Sequence, residues 1–391
     1  MKKKYKSTMY ACFIGYIVQA IVNNFVPLLF VTFQNSYQIP LSKITLLITI
    51  NFVIQLIIDL ASAGFMDRLG YRFSVILAHI CSAAGLIALT ILPDIFADPY
   101  VGILLAVAIY AVGGGLIEVL ISPIIEACPT DHKESAMSLL HSFYCWGHVG
   151  VVLISTLFFT VCGIANWKIL TLIWAVIPVA NMILFTRVPI YSLNEDGKQG
   201  LNLKELFAKK VFWLLMLMML CAGASEQAVS QWASTFAEKG LGVSKTIGDL
   251  AGPMSFAFLM GISRLIYGTY GERINLEKFM KFSTVLCSVS YLCIAFVPNP
   301  VAGLGGCGVC GFSVGIMWPG TFSKASATIR NGGTAMFAML ALAGDVGCSG
   351  GPTLAGFVSS AAGNNLHMGI CAALVFPVLI LCSLLVEKRN L

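Results

Sequence analysis

Long apolar runs separated by short polar breaks repeat along the whole chain, near residues 8–32, 41–63, 73–92, 100–125, 136–160 and 166–187, then 209–236, 248–269, 277–297, 300–322, 333–360 and 365–386. Most are about as long as the roughly 20 mainly apolar residues that carry a helix across a bilayer. A polar stretch from Tyr191 to Gly200 divides them six and six. The pattern predicts an all-α membrane protein of twelve transmembrane helices. They fall into a six-helix bundle over residues 1–187, a connecting loop at 188–208 and a second six-helix bundle over 209–391.

Composition narrows the function classes. Of 391 residues, 58% are apolar and 11% charged, against about 25% charged in an ordinary soluble domain. A soluble enzyme, a nucleic-acid module and a disordered chain are excluded, and too little sequence lies outside the runs for a separate catalytic domain. The thirteen cysteines sit mostly in apolar runs, where Cys behaves as a small hydrophobe. The first run passes 20 residues with no small-residue cleavage site, so it reads as a retained helix.

Positive charge reports topology. With the N-terminus inside, 20 of the 24 Lys and Arg fall on the inner side, and only Lys43, Lys168, Lys239 and Lys245 fall outside. Both termini and the 188–208 loop are therefore expected in the cytoplasm. Short loops and the lack of a targeting segment suit a bacterial inner membrane. The net charge of +6 needs no nucleic-acid partner to explain it.

The halves echo one another. Gly115 and Pro123 recur 196 residues on as Gly311 and Pro319, and Gly147 and Gly150 recur 197 residues on as Gly344 and Gly347. Asp67-Arg68 recurs as Glu272-Arg273. Six-helix halves with a site between them near the midplane are a transporter architecture.

Three segments carry a resemblance. The stretch Gly64-Phe-Met-Asp67-Arg68-Leu-Gly70-Tyr-Arg72 resembles the loop between the second and third helices of the major facilitator superfamily. Gly115-Leu-Ile-Glu118-Val-Leu-Ile-Ser-Pro123 and Leu139-Leu-His141-Ser-Phe-Tyr144-Cys-Trp-Gly147 resemble the fourth and fifth helices of its fucose:proton symporter group. The resemblance implies the major facilitator fold, alternating access, a monomer, and a conformational latch made by Gly64, Asp67, Arg68, Gly70 and Arg72, with Glu272 and Arg273 in the second half. It also implies that the latch acts on the start of span eleven. The group carries an aspartate in its first helix where this chain has Asn23, four residues before Pro27. Asn cannot carry a proton, so either coupling falls to other acids or this chain does not share the group's stoichiometry and substrate.

Those acids are Glu118, Glu226 and Asp345, each deep in an apolar run. A charged carboxylate there costs about 2.5–3.5 kcal/mol on insertion scales, and intramembrane acids are functional by default. No deep Lys or Arg accompanies them, since Arg264 is expected in the cytoplasmic last turn of span eight. This disfavours an anionic substrate and suits protons, a cation or a neutral polyol. The candidate substrate-binding residues are Asn23, Asn24, Glu118, His141 and Tyr144 in the first half, and Gln227, Gln231, Trp232 and Trp318 in the second. Amides both donate and accept, and an indole offers a surface to the apolar face of a ring. Asn51, Gln55 and Asp59 share one face of span two, as His141, Tyr144 and His148 do on span five. His79 is expected to hydrogen-bond between helices.

Two motif matches are set aside. Gly306-x-Gly308-x-x-Gly311 follows no strand, and Cys307-x-x-Cys310 lies in the same apolar run. Both read as close helix packing. No nucleophile–base or metal-ligand set points to an enzyme, and no cofactor is expected beyond a proton gradient. The function expected is transport of a small solute, a neutral sugar or polyol, by proton-coupled alternating access. A uniporter and a proton-driven exporter of amines or drugs are the alternatives, and a non-transporting membrane sensor is a third. The expected partners are a small-molecule substrate and the lipid bilayer.

Overall fold

The computed structural model describes residues 5–129, 133–191, 201, 203–270, 274–297, 299–329 and 332–390, with side chains for all of these but 59, 62–69, 126, 133–138, 268–269, 326, 333–335, 337–338 and 387–390. Among the described residues there are helices and short turns and no strand. Among the described residues, eleven helical segments are long and apolar enough to cross a membrane. The twelfth rod is the single helix Gly333–Ala361, span eleven. The chain is a twelve-helix, all-α membrane protein.

Several spans depart from straight rods. Span one runs Tyr5–Asn24, passes through a tight turn at Val26–Leu29, and resumes over Phe30–Tyr37. Pro27 explains the break, because its ring removes a donor and clashes with the preceding turn. Span seven runs Lys210–Ser230 and is interrupted at Gln231-Trp232, where neither Pro nor Gly marks the site. Span eight begins at Lys245, earlier than expected, and widens into a π turn at Leu250–Met254 before continuing over Ser255–Tyr270. Span ten is split between Pro300–Val314 and Met317–Thr328, one turn ahead of Pro319.

The chain forms two compact units, Met1–Glu195 and Asp196–Leu391. In the first, span two is Leu41–Leu69, span three Tyr71–Ile95, span four Pro99–Glu126, span five Lys133–Cys162 and span six Trp167–Arg187. In the second, span nine is Leu276–Phe296 and span twelve Leu366–Ala373 with Val375–Asn390. Within each unit the polarity of a soluble domain is reversed. Gln19, Asn51, Gln55, Glu226 and Gln231 are buried, while Val161, Val301 and Ile95 stand exposed, as lipid-facing side chains do.

The repeated glycines explain how each unit packs. A Cβ on Gly115 would lie 3.0 Å from the Gln55 backbone of span two, and one on Gly311 would lie 2.1 Å from the Phe256 carbonyl oxygen of span eight. The same motif thus brings span four onto span two and span ten onto span eight. Gly147 does the equivalent for spans five and one and Gly347 for spans eleven and seven, whereas Gly150 has nothing within 4 Å of its Cβ position and Gly344 faces the Trp318 ring.

Both edges of the 188–208 segment are anchored. Pro189 O accepts a hydrogen bond from Thr8 Oγ1 at 2.5 Å. The short helix Leu203–Phe207 inserts Leu206 into a core of Phe212, Leu215, Met219, Ala325, Ile329 and Leu340. Three of the four lysines assigned to the outer side form ion pairs: Lys43 with Asp98 at 3.3 Å, Lys168 with Asp94 at 2.5 Å, and Lys245 with Asp249 at 3.0 Å.

Candidate functional site

In the first unit four amides form a ladder. Gln19 and Asn23 lie one turn apart on span one, and Asn51 and Gln55 one turn apart on span two, so each pair shares a helix face. Gln55 Nε2 donates to Asn23 Oδ1 at 2.9 Å, and Asn51 Nδ2 donates to the same oxygen at 3.4 Å. Gln19 Nε2 donates to Gln55 Oε1 at 3.2 Å and to Glu118 Oε2 at 3.1 Å. Span four can offer Glu118 to this ladder because Gly114, one turn earlier, leaves room for the Gln55 amide 3.2 Å from where a Cβ would stand. Gln19 Oε1 and Asn51 Oδ1, both buried, find no donor among the described residues.

Next to the ladder, Asn24 Nδ2 donates to Ala20 O at 3.0 Å and to the Tyr144 hydroxyl at 3.3 Å. The Tyr16 hydroxyl lies 3.0 Å from Ser122 Oγ, and its ring is 5.4 Å from that of His141, which is exposed. The structure therefore gathers Asn23, Asn24, Glu118, His141 and Tyr144 on spans one, four and five of one unit. His148 is buried one turn beyond Tyr144. Gln19, which links Glu118 to the rest, is absent from the sequence-derived set. Its four-residue spacing from Asn23 is the signal that could have found it.

The second unit is built differently. Glu226 Oε2 pairs with Arg264 Nη2 at 3.2 Å, both largely buried. This corrects the expectation of three deep acids without a deep base. Span eight ends at Tyr270, within one residue of the expected end, and it is the long Arg264 side chain that reaches inward to Glu226 on span seven. The argument against an anionic substrate loses that premise. From Glu226 an amide row continues along span seven: Gln227 Nε2 lies 3.4 Å from Glu226 Oε1, and Gln231 Nε2 donates to Gln227 Oε1 at 3.0 Å. Trp232 is fully buried, its indole N–H donating to Pro352 O at 2.9 Å. Trp318 is half-buried against Gly344, where a Cβ would meet the ring at 2.2 Å. Asp345, also half-buried, follows that glycine.

The latch residues divide. Gly70 has φ +78° with nothing near its Cβ position, so the turn between spans two and three needs glycine for its backbone alone. Arg72 donates to three carbonyls at the end of span six, Phe185 at 2.7 Å, Thr186 at 3.1 Å and Val188 at 2.8 Å. These are helix-end carbonyls that have no partner within their own helix. Gly64, Asp67 and Arg68 lie on the last turns of span two, with side chains outside those described, and Glu272 and Arg273 lie outside the described residues. His79 is a link between helices, its Nε2 2.8 Å from Asn181 Nδ2 and its Nδ1 2.7 Å from Val75 O.

A second cluster went unforeseen. Ser234 Oγ donates to Asp249 Oδ1 at 2.5 Å, and Lys245 bridges Asp249 and Glu238. Gly306, Cys307, Gly308 and Cys310 are buried in the helix Pro300–Val314, as close packing requires. No cluster that could hold a metal ion is present among the described residues.

The profile of the Major Facilitator Superfamily matches residues 12–352. No curated protein sequence matches the chain. Among solved structures, the D-xylose-proton symporter superposes with a TM-score of 0.80 at 13% identity, over 98% of this chain and 97% of that one. A bacterial homologue of the human lysosomal transporter Spinster, inward-facing and occupied, gives 0.79 at 14% identity, over 100% and 98%. The E. coli fucose:proton symporter gives 0.68 at 17% identity, over 98% and 99%. At these identities the likeness shows the fold.

Proposed function

Because the chain belongs to the major facilitator superfamily, whose members are transporters and not enzymes, we propose that it moves a small neutral solute, a sugar or related polyol, by proton-coupled alternating access. The observation that carries this reading is Glu118, held by Gln19 at 3.1 Å beside a buried ladder of amides. A carboxyl on a membrane helix is costly unless it works, and an amide partner can hydrogen-bond it whether or not it carries a proton. Proton-coupled sugar symport is also what the names of two structural neighbours state for those proteins.

In this reading Glu118 is the principal proton site, with Glu226 and Asp345 as further candidates. Asn23, Asn24, His141, Tyr144, Gln227 and Gln231 contact the solute, and Trp232 or Trp318 supplies an aromatic face. The Gly64–Arg72 segment acts as the latch. The bundles at 1–187 and 209–391 rock about the 188–208 connection, with both termini in the cytoplasm of a bacterial inner membrane and the protein a monomer. The excess of Lys and Arg on one side supports that orientation.

The test is transport in proteoliposomes. Thermal-shift screening against sugars, polyols, amines and nucleosides identifies a ligand, and labelled ligand is then followed under an imposed proton gradient. Glu118→Gln is expected to abolish uphill accumulation and to leave exchange of the same ligand largely intact. Equal accumulation by variant and wild type would remove Glu118 from the coupling role.

A further inference from the structure

Span seven meets lipid over only a short length. Along Lys210–Ser230 the exposed large hydrophobic side chains are Trp213 and Leu217, four residues apart and so on one face, and every residue from Cys221 to Ser230 is buried. The lipid-facing part of the span is therefore its first two turns, next to the connection between the bundles. Trp213 is 55% exposed, and an indole on the lipid side of a membrane helix marks the level of the headgroups. Lys210 precedes it by three residues, on the same face and about 5 Å farther out. Lys209 stands beside Lys210 at the N-cap, and both lysines are exposed.

The end of the connection is fixed at the same level. The Trp213 indole N–H donates to Phe207 O at 2.9 Å, and the two rings lie 5.2 Å apart. Phe207 closes the short helix Leu203–Phe207, whose last carbonyls have no partner within the helix. Leu206 is sunk in the core of the second unit, which leaves Leu203 and Lys204 on the outside. An interfacial indole is apolar at one end and wet at the other. Here its N–H is engaged with the chain itself, so polar contact with the headgroups falls to the lysines. Residues 203–217 hold three lysines and a single acid, Glu205. Among the described residues, no ion pair uses Lys204, Lys209 or Lys210.

We propose that Lys204, Lys209 and Lys210 bind the headgroup of an anionic phospholipid, whose acyl chain lies along the face of Trp213 and Leu217. An ammonium only donates and a phosphodiester oxygen accepts, and the long lysine stems reach the headgroup layer while their carbons stay on the apolar surface. A zwitterionic lipid brings its own cation to the same place, whereas an anionic one leaves its phosphate charge for the lysines. Each lysine near an anionic surface contributes about fivefold to the attraction. A free phosphate would satisfy the same ammoniums, but it makes no use of the exposed indole and leucine directly below them. The pairing of a basic cluster with an acyl-facing stripe selects a lipid.

A lipid bound there holds the point where the connection enters the second bundle at the membrane surface. The charge of the surrounding leaflet thus becomes something the protein senses. The site depends neither on which solute is moved nor on which acid takes the proton.

The test uses the full-length protein in phosphatidylcholine vesicles doped with a small fraction of dibrominated lipid, whose bromines quench a neighbouring indole. The Trp213 signal is the wild-type emission less that of Trp213→Phe. Dibrominated phosphatidylglycerol is expected to quench it about tenfold more effectively, mole for mole, than dibrominated phosphatidylcholine. Lys204→Gln, Lys209→Gln and Lys210→Gln together should make the two lipids equal, and the three Lys→Arg changes should keep the preference. If the triple glutamine variant does not fold, Lys209→Gln and Lys210→Gln singly should each lower the preference by about fivefold. Glycerol phosphate added to the buffer should leave the quenching unchanged. Equal quenching by the two lipids in wild type would overturn the proposal, as would a preference that survives the glutamine variants. Relief of quenching by glycerol phosphate would overturn the lipid in favour of a soluble anion.

Discussion

Glu118 in the first unit is met by the amide of Gln19 at 3.1 Å, whereas Glu226 in the second is met by the guanidinium of Arg264 at 3.2 Å as well as by the Gln227 amide at 3.4 Å. The two partners ask different things of a carboxyl. A guanidinium offers only donors and a fixed positive charge. The Glu226–Arg264 pair is therefore satisfied in one protonation state, and loss of either charge leaves the other buried. An amide offers a donor and an acceptor and carries no charge, so the ladder around Glu118 can hydrogen-bond the carboxyl in both states. Equal depth in the sequence thus conceals unequal capacity. The carboxyl that lies among amides is the one suited to exchange a proton, and the carboxyl beside arginine is suited to hold spans seven and eight together.

The largest effect that would break this contrast lies at Arg264. Removing one partner of a buried ion pair costs about 3–5 kcal/mol, whereas replacing both with apolar groups of similar volume is often neutral. Arg264→Met should lower thermal stability by that amount, and Arg264→Met with Glu226→Met should recover most of it. A single variant as stable as wild type would mean that the pair does not brace the unit.

The next effect concerns the repeated glycines. Gly311→Ala forces a methyl onto the Phe256 carbonyl and should cost about 1–3 kcal/mol, as overpacking does. Gly115→Ala, whose nearest neighbours lie at 3.0 Å, should cost less in the same denaturation assay. The reverse order would show that the two halves do not share this packing device.

Smaller still are the amides of span seven. Gln227→Ala or Gln231→Ala removes a hydrogen bond to a neutral solute worth about 0.5–1.5 kcal/mol, or roughly two- to tenfold in affinity. Titration of the identified ligand checks this, and unchanged affinity in both variants would make the row purely structural. The smallest stability change should come from Glu118→Gln, within about 1 kcal/mol of wild type, because Gln keeps the shape and an acceptor for Gln19. A loss as large as that of Arg264→Met would erase the distinction between the two acids.

What could be read from the sequence follows from the length scale of the physics involved. Twelve spans were legible because twenty apolar residues need no tertiary context to declare a membrane helix, and among the repeated glycines Gly115, Gly147, Gly311 and Gly347 mark close approach of a neighbouring span. The role of Arg264 was missed because it depends on how far a flexible side chain reaches toward a neighbouring span, which no local pattern shows. Gln19 shares a helix face with Asn23, but its link to Glu118 and Gln55 shows only once spans two and four are packed beside it. The break at Gln231-Trp232 had no local signal. Asp249, wholly buried with Ser234 and Lys245, gave no hint in the sequence that it faces inward.

The π turns at Phe236–Gly240 and Leu250–Met254 bear on how this chain can change by insertion and deletion. A π turn holds one residue more than the α turn it replaces. Deleting a residue from an ordinary span would swing every later side chain by about 100° and scatter its buried face. A deletion inside either π turn would only relax it to an α turn and preserve the register beyond. These two short segments, one closing span seven and one near the start of span eight, are therefore where the chain can shed a residue at least cost.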